Sequence, residues 1–308
     1  MSWTTADIPD QTGRTAVVTG ANGGLGLATA QALAAKGAHV VMAARNQDKA
    51  AQAREQILSA VPDASLEVVE LDLGSLASVK KAADHITAQH TTIDLLINNA
   101  GVMAMPQSTT EDGFESQLGI NHLGHWALTA HLLPTLLTTP RARIVTVSST
   151  AQHQGKPLNP QDPHLRKDYD AWRAYGNSKL ANRHFTMGLH QRLTAGGVDT
   201  LAVTCHPGLT DSDLQATTVH NAGGGWRGPF FHWLTEHVGM SVERGALSQL
   251  RAATDPSVKG GEMYGPRFAT NGPPVRRPLV RPGAEQAIAT LWEISARETG
   301  LDIVIPSA

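Results

Sequence analysis

The feature that most constrains this 308-residue chain is a repeated exchange of short apolar runs for longer helical patterns. TAVVTG (15–20), HVVMAAR (39–45), LEVVELDL (66–73), IDLLINNAG (93–101), RIVTVSS (143–149) and VDTLAVTCHPG (198–208) are rich in β-branched and aliphatic residues. None alternates cleanly between apolar and polar, so each needs cover on both faces, as strands of a parallel sheet have. Helical patterns fall between them at 25–37, 48–61, 75–90, 111–137 (broken near its middle) and 171–195. This alternation builds right-handed βαβ crossovers.

The expected fold class is therefore α/β: a single-domain, doubly wound parallel sheet of about seven strands, Rossmann-type, with helices on both faces. One domain spans 1–308, with a helix at 242–253 and a short strand at 261–264 completing the sheet. Residues 209–241 carry Gly223 to Gly225, Trp226, Phe230, Phe231 and Trp233, and read as a substrate-side loop or lid. The PPVRRPLVRP segment (273–282) reads as a stiff surface connection, because proline cannot join a helix or a central strand. It opens a C-terminal extension (273–308) that packs on the domain through a helix at 284–298.

A formal charge of -2 gives no basis for a nucleic-acid partner. The single cysteine, Cys205, excludes an internal disulfide and reads as a small buried apolar residue. The N-terminal residues carry neither a basic cluster nor an apolar run, and no apolar stretch approaches about 20 residues. No signal peptide and no membrane span are expected, and a cytoplasmic location follows. His122 and His125 lack a third metal ligand and read as helix-surface histidines, so no metal site is expected.

Thr19-Gly20-Ala21-Asn22-Gly23-Gly24-Leu25-Gly26 lies between the first strand and first helix. Gly20 permits a tight turn, while Gly24 and Gly26 remove side chains where a pyrophosphate approaches backbone amides. A site selective for NAD places a carboxylate at the end of the second strand; here that strand ends in Arg45. Arg45 can pair with a 2′-phosphate, or simply face solvent, and NADP is the expected cofactor. Asp72 is placed to accept from the adenine amino group with Leu73 beside the ring, or else to cap the next helix. Asn98, Ala100 and Gly101 bring the end of the fourth strand toward the nicotinamide ribose, although Asn98 can equally tie strands together.

Tyr175 and Lys179 share a helix face because they are four residues apart. A phenol is a poor base at neutral pH, and the positive charges of Lys179 and oxidised nicotinamide together favour its phenolate. Tyr175 is the expected acid/base, with Lys179 also reaching the nicotinamide ribose. Ser149 can donate to the substrate oxygen, and Ser148 reads as a turn residue. Asn121, by side chain or backbone, can hold a water linking Lys179 to solvent.

These residues resemble the short-chain dehydrogenase/reductase family, in order TGANGGLG (19–26), NNAG (98–101), Asn121, VSS (147–149), YGNSK (175–179) and HPG (206–208). The resemblance implies a catalytic tetrad of Asn121, Ser149, Tyr175 and Lys179. It also implies cofactor contacts from Pro207, Gly208 and either Thr210 or Ser212. Ser149 and Tyr175 stand 26 positions apart, roughly twice the spacing of many members. This long spacing and the YxxSKLAN run resemble the retinol-dehydrogenase-like branch. The inserted loop can supply pocket wall through His153 or Trp172. The implied reaction is hydride transfer between NADP(H) and a lipophilic carbonyl or alcohol. The competing functions are a nucleotide-sugar epimerase or dehydratase, which also uses a Tyr-xxx-Lys pair, and a non-enzymatic NADP sensor. Relatives pair through helices equivalent to 111–137 and 172–195, which implies a homodimer or homotetramer unless the insertion obstructs that face.

Overall fold

A computed structural model describes residues 2–210, 239–279 and 283–306. Eight strands form one sheet in the order β3-β2-β1-β4-β5-β6-β7-β8. They are β1 (Thr15–Thr19), β2 (His39–Ala44), β3 (Ser65–Glu70), β4 (Leu95–Asn98), β5 (Arg143–Val147), β6 (Leu201–Cys205), β7 (Met263–Pro266) and β8 (Pro274–Arg277). All pairs are parallel except β7 with β8. Chain order reverses between β1 and β4, and ligands of such sheets bind at the strand ends beside that reversal.

The central strands are buried on both faces, as their composition requires. Val17 and Val41 point into one core, while Ala16, Val18, Val40 and Met42 point into the other. The second core is covered by α1 (Gly24–Ala34), α2 (Gln47–Ala60) and α7 (Val242–Thr254). The first is covered by α3 (Leu76–Gln89), α5 (Gly124–Thr138), α6 (Ala171–Ala195) and α8 (Ala284–Thr299). Helix α3 shows why such segments are helical and where they face. Ser75 caps its start, and Val79, Ala82, Ala83 and Ile86 recur along one buried stripe.

Three features differ from expectation. Pro274–Arg277 is an antiparallel edge strand rather than a free connection, so the sheet has eight strands instead of about seven. Proline fits there because an edge strand has one side with no ladder bond to lose. The long 111–137 helix begins only at Ser116, where buried Glu115 accepts from Gln117 N and Leu118 N and caps the short α4 (Ser116–Leu118). Its expected break is a π-helical turn over Gly119–Leu123. Finally, His122 and His125 are buried rather than on a helix surface.

Helix α8 accounts for His122. Its Ser295 hydroxyl meets His122 Nε2 at 2.9 Å, and its Trp292 packs on Phe185 and Trp126 at 5.8 and 5.0 Å between ring centres. Burial holds His122 down to about 4, so it is a neutral packing group at ordinary pH. Residues 174–186 of α6 are buried within one chain.

Candidate active site

A cleft of about 590 Å³ runs along the C-terminal ends of β1 to β5. One end is the glycine turn. Gly20 is left-handed (φ +69°), as a tight turn there requires, and Gly24 also has positive φ. No side chain caps α1, leaving the amides of its first turn available to an anion. Gly20, Asn22, Gly23, Gly24, Leu25 and Gly26 all border the cleft. A Cβ on Gly26 would lie 2.1 Å from Gly20 O and 2.7 Å from Asn99 Nδ2. The close approach of turn and helix is thus possible only with glycine.

Arg45 and Asp72 border the same end and form an ion pair of 3.9 Å. Arg45 is 73% exposed, so this pair contributes little and leaves the guanidinium open to a stronger anionic partner. Asp72 lines the cleft beside Leu73, and its Oδ1 accepts from Gly74 N at 2.8 Å in the turn before α3; the helix cap expected of it is Ser75 instead. Lys49 and Asn46 also line this corner, and the sequence reading missed both. Their signal was positional. Asn46 caps α2 directly after Arg45, accepting from Lys49 N at 2.8 Å, so the first turn of α2 presents both residues toward the end of β2.

At the end of β4, Asn98 takes a structural role, one of the two expected for it, rather than a cofactor contact. Asn98 is buried, donates to Thr129 Oγ1 at 3.2 Å and does not border the cleft. Asn99 borders it, with Ala100 and Gly101, and donates to Thr19 O at 2.8 Å. Successive side chains on a strand face opposite ways, so a one-position assignment error changes the face. Thr19 fixes this junction. Its hydroxyl accepts from Asn99 N at 2.9 Å and Ala100 N at 3.0 Å and meets His125 Nε2 at 2.9 Å. His125 Nδ1 lies 3.1 Å from Asn121 O, an acceptor only, so Nδ1 carries the proton and Nε2 accepts from Thr19. Burial pushes His125 down to about 3, keeping it neutral.

The other end of the cleft gathers Ser149, Tyr175 and Lys179. Ser149 follows β5 and starts a 3₁₀ turn, where its hydroxyl accepts from Ala151 N at 3.2 Å. Ser148 is structural, donating to Lys179 O at 2.8 Å. Burial raises the Tyr175 phenol above its ordinary value, against a hydrogen bond with Ser149 that lowers it. Lys179 Nζ lies 5.8 Å from the Tyr175 ring centre and donates to Val147 O at 3.4 Å. Burial holds the ammonium down to about 8. In the chain alone, burial and the Ser149 hydrogen bond set the phenol; the joint effect expected of Lys179 and oxidised nicotinamide belongs to the cofactor complex.

Asn121 does not border the cleft. Its side chain accepts from Val102 N at 2.7 Å and donates to Val102 O and Ser178 Oγ, each at 2.9 Å. Those bonds occupy the amide and clamp the loop after β4. A relay through Asn121 is left with its carbonyl, which the π turn presents and His125 already shares. Pro207, Gly208 and Thr210 border the cleft, and Thr210 is buried. Ser212 and the aromatic residues 226, 230, 231 and 233 lie outside the described residues.

The insertion is pinned rather than loose. Tyr169 donates to Met105 O at 2.7 Å, His164 Nε2 meets Glu298 Oε2 at 3.1 Å, and Lys156 N donates to Asn177 Oδ1 at 2.8 Å. It brings Trp172, Ala151 and Gln154 to the cleft wall, where Trp172 and Ala151 pack against the cluster of Met103, Ala104 and Tyr175. His153 is not on that wall.

The sequence profile described as short chain dehydrogenase matches residues 14–223. The chain belongs to the short-chain dehydrogenase/reductase family. Within that family it falls in the retinol-dehydrogenase-like branch. It is 44% identical to human retinol dehydrogenase 12 over 202 residues, 66% of this chain and 63% of that protein. Against mouse retinol dehydrogenase 13 it is 35% identical over 300 residues, 96% of this chain and 86% of that protein. The chain thus spans less than two thirds of the first relative's length. A crystal structure of an uncharacterized protein from Mycobacterium paratuberculosis superposes with a TM-score of 0.81 at 39% identity, covering 99% of this chain and all of that one. The family is one of NAD(P)-binding oxidoreductases. The bare Gly26 position and the uncapped start of α1 fit such a dinucleotide. No described helix is long and apolar enough to cross a membrane.

Proposed function

We propose that this short-chain reductase uses NADP(H) to interconvert a lipophilic carbonyl compound and its alcohol, with Tyr175 as the acid/base. The observation carrying this reading is that Ser149, Tyr175 and Lys179 line one end of a cleft whose other end is the glycine turn. The cofactor, when bound, supplies or takes up hydride. In reduction, Ser149 and Tyr175 donate hydrogen bonds to the carbonyl oxygen as charge develops on it. Tyr175 then passes its proton to that oxygen. Lys179 lies beside the phenol and is positioned to return a proton from the buried side.

Met103, Met105 and Trp172 make the substrate wall largely apolar, which supports a lipophilic substrate. The names of the relatives put retinals first in an NADPH-oxidation screen that also includes steroid ketones, quinones and small aldehydes. Turnover with a bulky apolar carbonyl is the expected result. Tight NADPH binding without turnover on any of these would instead identify a sensor.

The choice of NADP over NAD rests on two cations, Arg45 and Lys49, at the corner where an NAD site carries a carboxylate. Arg45→Ala is expected to weaken NADPH binding about 10- to 100-fold, the worth of one charge-assisted hydrogen bond, and to leave NADH nearly unchanged. Fluorescence titration of both cofactors checks this. Equal losses would remove the phosphate contact.

The raised phenol also sets a pH dependence. Tyr175 remains protonated through neutral pH, the form reduction requires, so reductive kcat/KM stays flat there. Oxidation needs the proton gone and rises with pH into the alkaline range. Lys179 loses its own charge near 8, broadening that rise. An oxidative profile that falls from neutral to alkaline pH would contradict the assignment.

A further inference from the structure

At the opposite edge of the sheet, away from the cleft, three histidines surround one carboxylate. Glu67 on β3 receives His90 Nε2 at 2.7 Å on Oε2 and His85 Nε2 at 2.8 Å on Oε1. His39, the first residue of β2, places Nε2 3.6 Å from the same Oε2. The donor atoms of His39, Glu67 and His90 all lie within 4.8 Å of one another. His39 Nε2 is shielded from solvent and has no hydrogen-bond partner, while Nδ1 lies 2.7 Å from Ser65 Oγ. The expectation of no metal site came from sequence spacing, which cannot register ligands drawn from β2, β3 and the end of α3.

We propose that His39, Glu67 and His90 bind a zinc-class divalent cation. Two imidazoles and a carboxylate form a donor set suited to such ions, and water can complete a tetrahedron. Metal bonds of about 2.0–2.2 Å put neighbouring donors roughly 3.3–3.5 Å apart. The His39–Glu67 spacing is close to that, and the His90–Glu67 pair needs to open by about 0.7 Å. Ser65 is a positioning residue: in the tautomer where it accepts from Nδ1, Nε2 of His39 offers its lone pair to the ion. His85 holds the other carboxylate oxygen and keeps Glu67 turned toward the site. His90 now donates Nε2–H to Glu67, so that proton must move to Nδ1 or leave as the ion binds.

The ion takes no part in hydride transfer. His39 and the cleft-lining Ala44 are opposite ends of β2, about 17 Å apart. It ties β2 and β3 to the C-terminal end of α3, and because it binds the folded chain it raises stability with the logarithm of its concentration above Kd.

The test uses the full chain without a histidine tag, freed of metal by chelation. It is titrated with Zn²⁺ by calorimetry and with Co²⁺ by visible absorption. One ion per chain is expected, with a four-coordinate Co²⁺ spectrum that Zn²⁺ displaces and a higher Tm with Zn²⁺. His39→Gln and His90→Gln should each lower affinity by about 100-fold or more, and Ser65→Ala by about tenfold. Circular dichroism establishes that each variant is folded, and if one is not, the other and Ser65→Ala still decide. Stoichiometry matters because 14 histidines offer scattered weak contacts. No saturable binding at sub-millimolar Zn²⁺ would leave only a proton-linked clasp and overturn the proposal. Binding unchanged in both histidine variants would overturn it as well.

Discussion

Tyr175→Phe is expected to lower turnover by roughly 10³- to 10⁴-fold while NADPH affinity stays at the parent value. The substitution deletes one oxygen and keeps the ring. That oxygen carries the proton for the product alcohol and one of two donors to the reacting oxygen, so both contributions vanish together. The loss corresponds to about 4–5.5 kcal/mol of transition-state stabilisation. The ring is 5% exposed and packs with Met103 and Ala104, contacts that phenylalanine retains. Only the hydrogen bond with Ser149 is lost from the ground state, at about 1 kcal/mol. Single-turnover kinetics with saturating NADPH, beside a cofactor titration, separates the two effects. Turnover within tenfold of the parent would mean that another group delivers the proton.

What could be read in advance followed how local each signal was. The glycine turn, Arg45, Asp72 and the Tyr175/Lys179 pair sit at fixed offsets within one strand or helix, so sequence spacing places them directly. The apolar runs announce the parallel strands because burial on both faces leaves no polar alternation to confuse them. The features that escaped depend on contacts between distant segments. Asn98 and Asn99 are both polar residues at a strand end, and only Thr129 on α5 decides which one is turned inward. His122 looks like a surface histidine until α8 brings Ser295 to it from 173 residues away. Pro274–Arg277 becomes a strand only because β7 offers an open edge. Lys49 lay within reach of the sequence argument, since the first helical turn after Arg45 shares its corner. What spacing could not register about Lys179 is of another kind. Proximity on a helix face was read correctly, but the burial that brings Lys179 and Tyr175 together also desolvates both.

Gly26→Ala is expected to reduce NADPH affinity by at least about 100-fold and to lower Tm by several degrees, from the addition of one methyl group. Alanine is ordinarily the better helix residue, so propensity alone predicts a gain of about 1 kcal/mol. Sterics reverse the sign. The new Cβ would sit 2.1 Å from Gly20 O and 2.7 Å from Gly20 C, which are backbone atoms with no rotamer to move. Gly20 cannot simply retreat. Its N–H donates to Ala43 O at 2.8 Å, and its neighbour Thr19 holds Asn99, Ala100 and His125 through one hydroxyl. Relief therefore requires opening the turn that presents the amides to pyrophosphate, or breaking the junction of β1 with the end of β4. Overpacking of this kind costs about 1–3 kcal/mol, which in a domain of this size is roughly 2–4 °C per kcal/mol. Gly13→Ala is the informative control. Gly13 has φ +77° and nothing within 4 Å of an added Cβ, so its substitution brings backbone strain without a clash at the turn. It should lose some stability, about 1 kcal/mol, and bind NADPH normally. If Gly26→Ala matched Gly13→Ala in both cofactor affinity and Tm, the close approach of α1 to the turn would not be what holds the dinucleotide.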